Sequence, residues 1–276
     1  MQINRLTEDR ELTKDEIASV SSSVFGKTKH ARTSEKYQFI PTETIMDDLK
    51  AEGWVPFGVQ SVVARKLEDQ LTSKHLLRFR NINDASVVID QDTVIPEIVI
   101  TNSHDGRNAF RAHMGIFRMV CANGLIAADP RTEETLRVTH KGYSKEMITK
   151  MIADLVAHFT EKVNEIKNYK TLIMKPEQMA SFAEEAIGVR WRYEYDRPQG
   201  LTPELVLATR RKEDHTKDLW TVYNVIEENL MKGGIQAVND NGRVISTRPM
   251  KNVREQVRIE KALWGLMDKQ AKVLAA

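Results

Sequence analysis

The chain has 276 residues, 41 % hydrophobic and 29 % charged, with 41 Lys and Arg against 39 Asp and Glu for a formal net charge of +2. Such a chain can bury a core but cannot hold a polyanion by net charge alone, so any such affinity must come from where its cations sit. One cysteine excludes an internal disulfide and a cysteine-based zinc site, and no apolar run approaches the roughly eighteen residues of a spanning helix.

Residues 1–40 are polar, and "SSSVFGKTKHARTSEKYQFI" gathers Lys27, Lys29, His30, Arg32 and Lys36 around a glycine, which reads as a basic N-terminal arm or a surface loop entering the first helix. With no apolar signal region ahead of it, a cytoplasmic protein without a membrane partner is expected. In "PTETIMDDLKAEGW", Thr42 is the expected N-cap, Ile45, Met46 and Leu49 share a helical face, and Gly53 falls at the end.

After Gly53 the period changes. "WVPFGVQSVVARK" and "KHLLRFRNI", separated by "LEDQLTS", read as a β-hairpin, and "TVIPEIVITNS" as a third strand entered through Pro96 at an edge or strand start. "NSHDGRN" is a turn centred on Asp105 and Gly106. In the fourth strand Phe110, Ala112, Met114 and Ile116 fall on one face, with Arg111, His113 and Phe117 on the other.

From Ser144, the expected cap, the composition turns helical, with Met147, Met151, Ile152, Leu155, Val156, Phe159, Val163 and Ile166 at three- and four-residue spacing. Further helices are expected at "KPEQMASFAEEAIG", ending before Gly188, and at "TPELVLATRRK", "DLWTVYNVIEENLMKGG" and "NVREQVRIEKALWGLMDKQAKVLA"; "KGGIQAVNDNGRV" reads as a helix cap followed by a hairpin turn. The order implies an α+β fold, an antiparallel β-sheet with a long packed helix, rather than alternating βαβ units. The chain divides into an arm at 1–40, an α+β core at 41–170 and a mainly helical region at 171–276.

Two chemistries compete for residues 101–126. One is an enzyme site, or a factor that counters host defence, built on His104, Asp105 and Cys121. A cysteine nucleophile needs a base within hydrogen-bond reach, yet eight strand residues at about 3.3 Å each put His113 some 26 Å from Cys121, and the thiol sits among apolar neighbours. His104 and Asp105 lack an accompanying HxxxH or HxH pattern, so a turn is favoured over a metal site, and neither GxxxxGK[ST] nor a strand-borne GxGxxG occurs. No metal or cofactor is expected.

The other chemistry is a polyanion grip. Lys74, Arg78 and Arg80 share one face of their strand, Arg107, Arg111 and His113 with Phe117 share one face of theirs, and adjacent strands lie about 4.8 Å apart, so a phosphate backbone could track along both rows. Phe117 or Trp54 would stack a base. A second basic stripe, Arg248, Lys251, Arg254, Arg258 and Lys261, follows helical spacing near the C-terminus, as either a binding face or a solvated one.

At "NSHDGRNAFRAHMGIFRMVCANGLI", with "IPTETIMDDLKAEGW" upstream and "LWTVYNVIEENL" and "KALWGLMDK" downstream, the chain resembles the phage- and plasmid-borne domain-of-unknown-function family numbered nine hundred thirty-two, from about residue 36 onward. Members of that family are encoded on mobile elements, some beside recombination genes, which implies DNA metabolism. The helix ending in Gly-Trp and the strand pattern are also similar to the β-β-β-α core of ring-forming single-strand annealing proteins of the Rad, Red-beta and RecT types. That resemblance implies ATP-independent, non-catalytic annealing of single-stranded DNA in homologous recombination. The implied partners are single-stranded DNA and its annealed duplex, further copies of the chain in a ring or filament, and a phage exonuclease or single-strand-binding protein.

Overall fold

The computed structural model describes residues 3–35, 37–62, 64, 66–83, 86–89, 92–119, 123–126, 137–138 and 144–275. In chain order its elements are β1 (Ile3–Thr7), α1 (Lys14–Val20), α2 (Thr42–Ala51), β2 (Trp54–Val62), β3 (His75–Asn81), β4 (Val87–Ile89), β5 (Asp92–Asn102), β6 (Phe110–Arg118), β7 (Asn123–Ile126), β8 (Arg137–Val138), α3 (Lys145–Thr171), α4 (Pro176–Arg190), α5 (Pro203–Val206), α6 (Leu219–Lys232), β9 (Gln236–Val238), β10 (Val244–Ser246) and α7 (Val253–Ala275). The fold is α+β.

The main sheet runs β1-β2-β3-β5-β6-β7, with β4 on β5 and β8 on β6, and every pairing is antiparallel. The N-terminus is therefore not an arm: β1 forms a strand along β2, from Ile3↔Val62 to Thr7↔Gly58. Behind it, a capping box between Thr13 and Glu16 starts α1. Pro96 is not at the entrance of its strand either. It lies beyond the last β3 pair, Arg80↔Glu97, and before the first β4 pair, Val87↔Val94, where the ladder changes partner and tolerates a residue without an N–H.

One sheet face carries Leu77, Phe79, Ile98, Ile100, Phe110, Ala112, Met114 and Ile116, all buried, and joins the apolar stripe of α3 (Leu155, Phe159, Val163, Ile166) in one cluster. The cluster continues through Phe182 of α4 and Leu230 of α6 to the mutually packed rings of Trp220, Tyr223 and Trp264, so residues beyond 171 share their core with the sheet. The β5 and β6 ends are tied to this layer by ions as well. Buried Arg118 pairs with Asp92 at 2.8 Å and with Asp214 at 2.8 Å, and Lys170 of α3 reaches Asp92 at 3.1 Å.

Three expected elements differ in detail. Pro41, not Thr42, is the N-cap of α2, which frees the Thr42 hydroxyl for His75 and Asn102. α4 runs through Gly188 to Arg190, and the helix at "TPELVLATRRK" is only Pro203–Val206. The second sheet face is also covered. Val253 and Val257 of α7 pack on Leu76, Val99 and Ile126, and Gln60 of β2 donates to the Lys251 carbonyl at 3.2 Å.

Candidate functional site

The cover laid down by α7 decides which cations can meet a ligand. Arg78 and Arg80 point to the covered face, are 4 % and 6 % exposed, and are neutralised there by Glu97 of β5. The Glu97 carboxylate accepts from Arg78 Nη1 at 2.8 Å and from Arg80 Nε at 2.8 Å, while Glu260 of α7 stands 3.5 Å from Arg78 Nη2. Gly115 makes the room, since a Cβ in its place would lie 2.9 Å from the Glu97 Cβ. The Arg80 guanidinium also lies 3.5 Å from the Phe117 ring centre and 4.8 Å from that of Phe57.

Four of the residues assigned to nucleic acid from the sequence are therefore withdrawn from it. Arg78 ties the sheet to Glu260 of α7, and Arg80 is held within the sheet by Glu97 and the Phe57 and Phe117 rings. His113 is buried and, pressed by desolvation and then by Lys261 and Arg111, has its imidazole lowered to about 3, so it carries no charge at neutral pH. Trp54 is core, 2 % exposed. Phe117 remains half-buried, with Arg80 already stacked on its ring.

Lys74, Arg107 and Arg111 behave differently. Lys74 borders a cleft of about 690 Å³ formed where His30, Arg32 and Tyr37 meet Asp69 and Thr72, ahead of β3, and the Asp105–Gly106 turn between β5 and β6. Arg107 lines the same cleft. Burial, then Arg111 and Arg254 alongside, lower the Lys74 ammonium to about 8, with Asp105 opposing. Arg254 comes from the first turn of α7, whose start is held by the Asn252 side chain accepting from the Arg254 amide at 2.9 Å. Among the described residues, none of Lys74, Arg107, Arg111 and Arg254 is ion-paired to a carboxylate.

The acids near the cleft are already committed. Asp69 accepts from His30 Nε2 at 2.8 Å and Arg32 Nη2 at 3.1 Å. His30 Nδ1 accepts the Arg32 amide at 3.0 Å, which fixes the proton on Nε2 and leaves no free base. Asp105 accepts from the Ser103 hydroxyl at 2.7 Å and from the Arg107 amide at 3.0 Å, an Asx turn completed by Gly106 at φ 75°.

The enzyme site suggested by residue type is not assembled by the described residues. His104 is fully buried, gives its Nε2–H to the Ser23 carbonyl at 3.0 Å and lies against Phe39. Its neighbour His75, lowered to about 3 by burial and then His104, bonds Ser23 and Thr42, each at 2.9 Å. These histidines order the core beside the turn, and Cys121 lies outside the described residues. Among the described residues no group of three or more His, Cys, Asp and Glu side chains could hold a metal ion, and no helix is long and apolar enough to cross a membrane.

Sequence reasoning placed Arg254 in a helical stripe but not beside Lys74. The two are 180 positions apart, and only the packing of α7 on β3 and β5 joins them. A readable signal did exist for the opposite error: Glu97 is a lone acid inside the apolar run "VIPEIVI", which calls for a buried cation on the next strand.

The family model described as "Domain of unknown function (DUF932)" matches residues 29–264. The chain is 34 % identical over 266 residues to UPF0380 protein YfjQ of Escherichia coli (strain K12), covering 96 % of this chain and 93 % of that protein. It is 33 % identical over 265 residues to UPF0380 protein YafZ of the same organism, with 96 % and 93 % covered. No solved structure matches.

Proposed function

This chain belongs to the DUF932 family, and we propose that it binds single-stranded DNA and promotes annealing of complementary strands without ATP, as an oligomeric recombination protein of a phage or plasmid. The observation that carries this reading is the cluster of Lys74, Arg107, Arg111 and Arg254 at one end of the sheet, without carboxylate partners among the described residues, in a fold that neutralises Arg78, Arg80 and Arg118. Cations left in this state keep their full interaction for an external anion, and phosphodiesters in a row are the anion that uses several at once. Neutralising phosphates on two strands lowers their mutual repulsion, which is the barrier that annealing must overcome, and requires no bond to be broken.

The test is strand annealing with complementary oligonucleotides. The wild-type chain is expected to speed pairing, and a triple variant, Lys74→Ala with Arg111→Ala and Arg254→Ala, to lose both binding and acceleration while keeping its unfolding midpoint. Absence of acceleration by the wild-type chain removes annealing from the assignment, and a triple variant that binds as the wild type does removes this cluster.

A further inference from the structure

A second cluster lies where α4 ends. Arg190 donates from Nη2 to the Arg248 carbonyl, while its Nε and Nη1, both buried, have no acceptor among the described residues. Its guanidinium sits 4.6 Å from the Trp191 ring centre. Burial alone draws its ionisation down to about 10, with no carboxylate opposing. A half-buried guanidinium with two unused nitrogens and no acid beside it is built for an anion from outside.

Three residues farther on, Tyr193 and Tyr195 stand in the solvent, 57 % and 82 % exposed. Their rings are stacked, 5.2 Å between centres and 5° from parallel. Exposed aromatic rings lose the burial that ordinarily favours them, and a parallel pair presents an outer π-face to a flat ligand. The cluster is joined to the first one through α7. Arg258 donates to the Val189 carbonyl at 3.0 Å, and Arg254 lies one turn earlier on the same helix. One helical turn is about 5.4 Å and the six residue steps from Val189 to Tyr195 span at most ~20 Å, which keeps both clusters within the ~4–16 nucleotides of a single-strand site.

We propose that Tyr193 and Tyr195 form a base-stacking subsite for single-stranded nucleic acid, with Arg190 taking a neighbouring phosphate. This rests on the single-strand reading of the Lys74 cluster and adds the contact to bases that phosphate binding lacks. Glu194 lies between the two tyrosines and Asp196 follows them on the same 3-10 turn, so the rings act by stacking and the attractive charge comes from Arg190.

The test is fluorescence anisotropy on the full chain, with a labelled thymidine oligonucleotide and an abasic strand of equal length. Tyr193→Ala combined with Tyr195→Ala is expected to weaken thymidine-strand binding about fivefold to a hundredfold per stacked base, leaving abasic affinity and the salt slope unchanged. Replacing both by Phe is expected to restore binding. Equal affinity of the double-Ala variant and wild type for the thymidine strand overturns the stacking subsite while the phosphate reading stands; those rings would then serve a protein contact. Failure of the wild-type chain to bind either strand at low salt overturns both.

Discussion

If Lys74, Arg107, Arg111 and Arg254 each neutralise one phosphate, the logarithm of single-strand affinity should fall with the logarithm of salt at a slope of about −2.8, roughly a fiftyfold loss between 50 and 200 mM. Each alanine replacement should make the slope shallower by about 0.7. Lys74 adds a pH signature. Its folded ionisation is depressed to about 8, and a phosphate favours the charged form, so its contribution to binding is present below pH 8 and lost above it. From pH 7 to 9 the affinity should drop up to about tenfold, one ionisation unit being one decade. Lys74→Arg stays charged throughout and should abolish the drop. The same depression makes the unfolded chain bind more protons between about pH 8 and 10.5, so stability should rise with pH across that window. Anisotropy across salt and pH checks the binding terms. A wild-type slope shallower than about −1, or the same pH drop in Lys74→Arg, would refute the assignment.

The covered face makes separate predictions. Glu97→Gln leaves Arg78 and Arg80 buried with Glu260, 3.5 Å from Arg78, as the one carboxylate still in contact among the described residues, and removing one partner of such a group costs about 3–5 kcal/mol, some 5–9 °C in Tm; a loss below about 1 kcal/mol in urea unfolding would sink the account. Glu227 of α6 is buried and held well above the usual carboxylate range by desolvation and then by Glu260. Its folded form therefore keeps a proton that the unfolded chain releases above about pH 4.5, and stability should fall as pH rises from there. Glu227→Gln removes that fall, so the variant should gain on wild type between pH 5 and pH 8 in paired urea titrations; parallel profiles would contradict it.

Much of the fold is legible because local rules act on adjacent residues. The period-two face of Phe110, Ala112, Met114 and Ile116, the Asp105-Gly106 turn and the 3.6-period stripe of α3 each follow from burying one face or closing one turn. The N-terminal strand was illegible because its warrant is pairing with Gly58–Val62, more than fifty positions away. The site divides in the same way. Arg78, Arg80 and Arg111 look alike in sequence, alternating cations on antiparallel strands of which one face is ordinarily wet. What separates them is the register that sets Arg80 opposite Glu97 and the return of Glu260 from 182 residues downstream. Arg111 instead pairs with Thr101, and the α7 residue that joins it near Lys74 is another cation, Arg254. A basic strand face thus argues for a polyanion only after the acids at the same register and on the covering helix are counted. Here that count removes Arg78 and Arg80 and leaves the charge concentrated at the end of the sheet, where α7 begins.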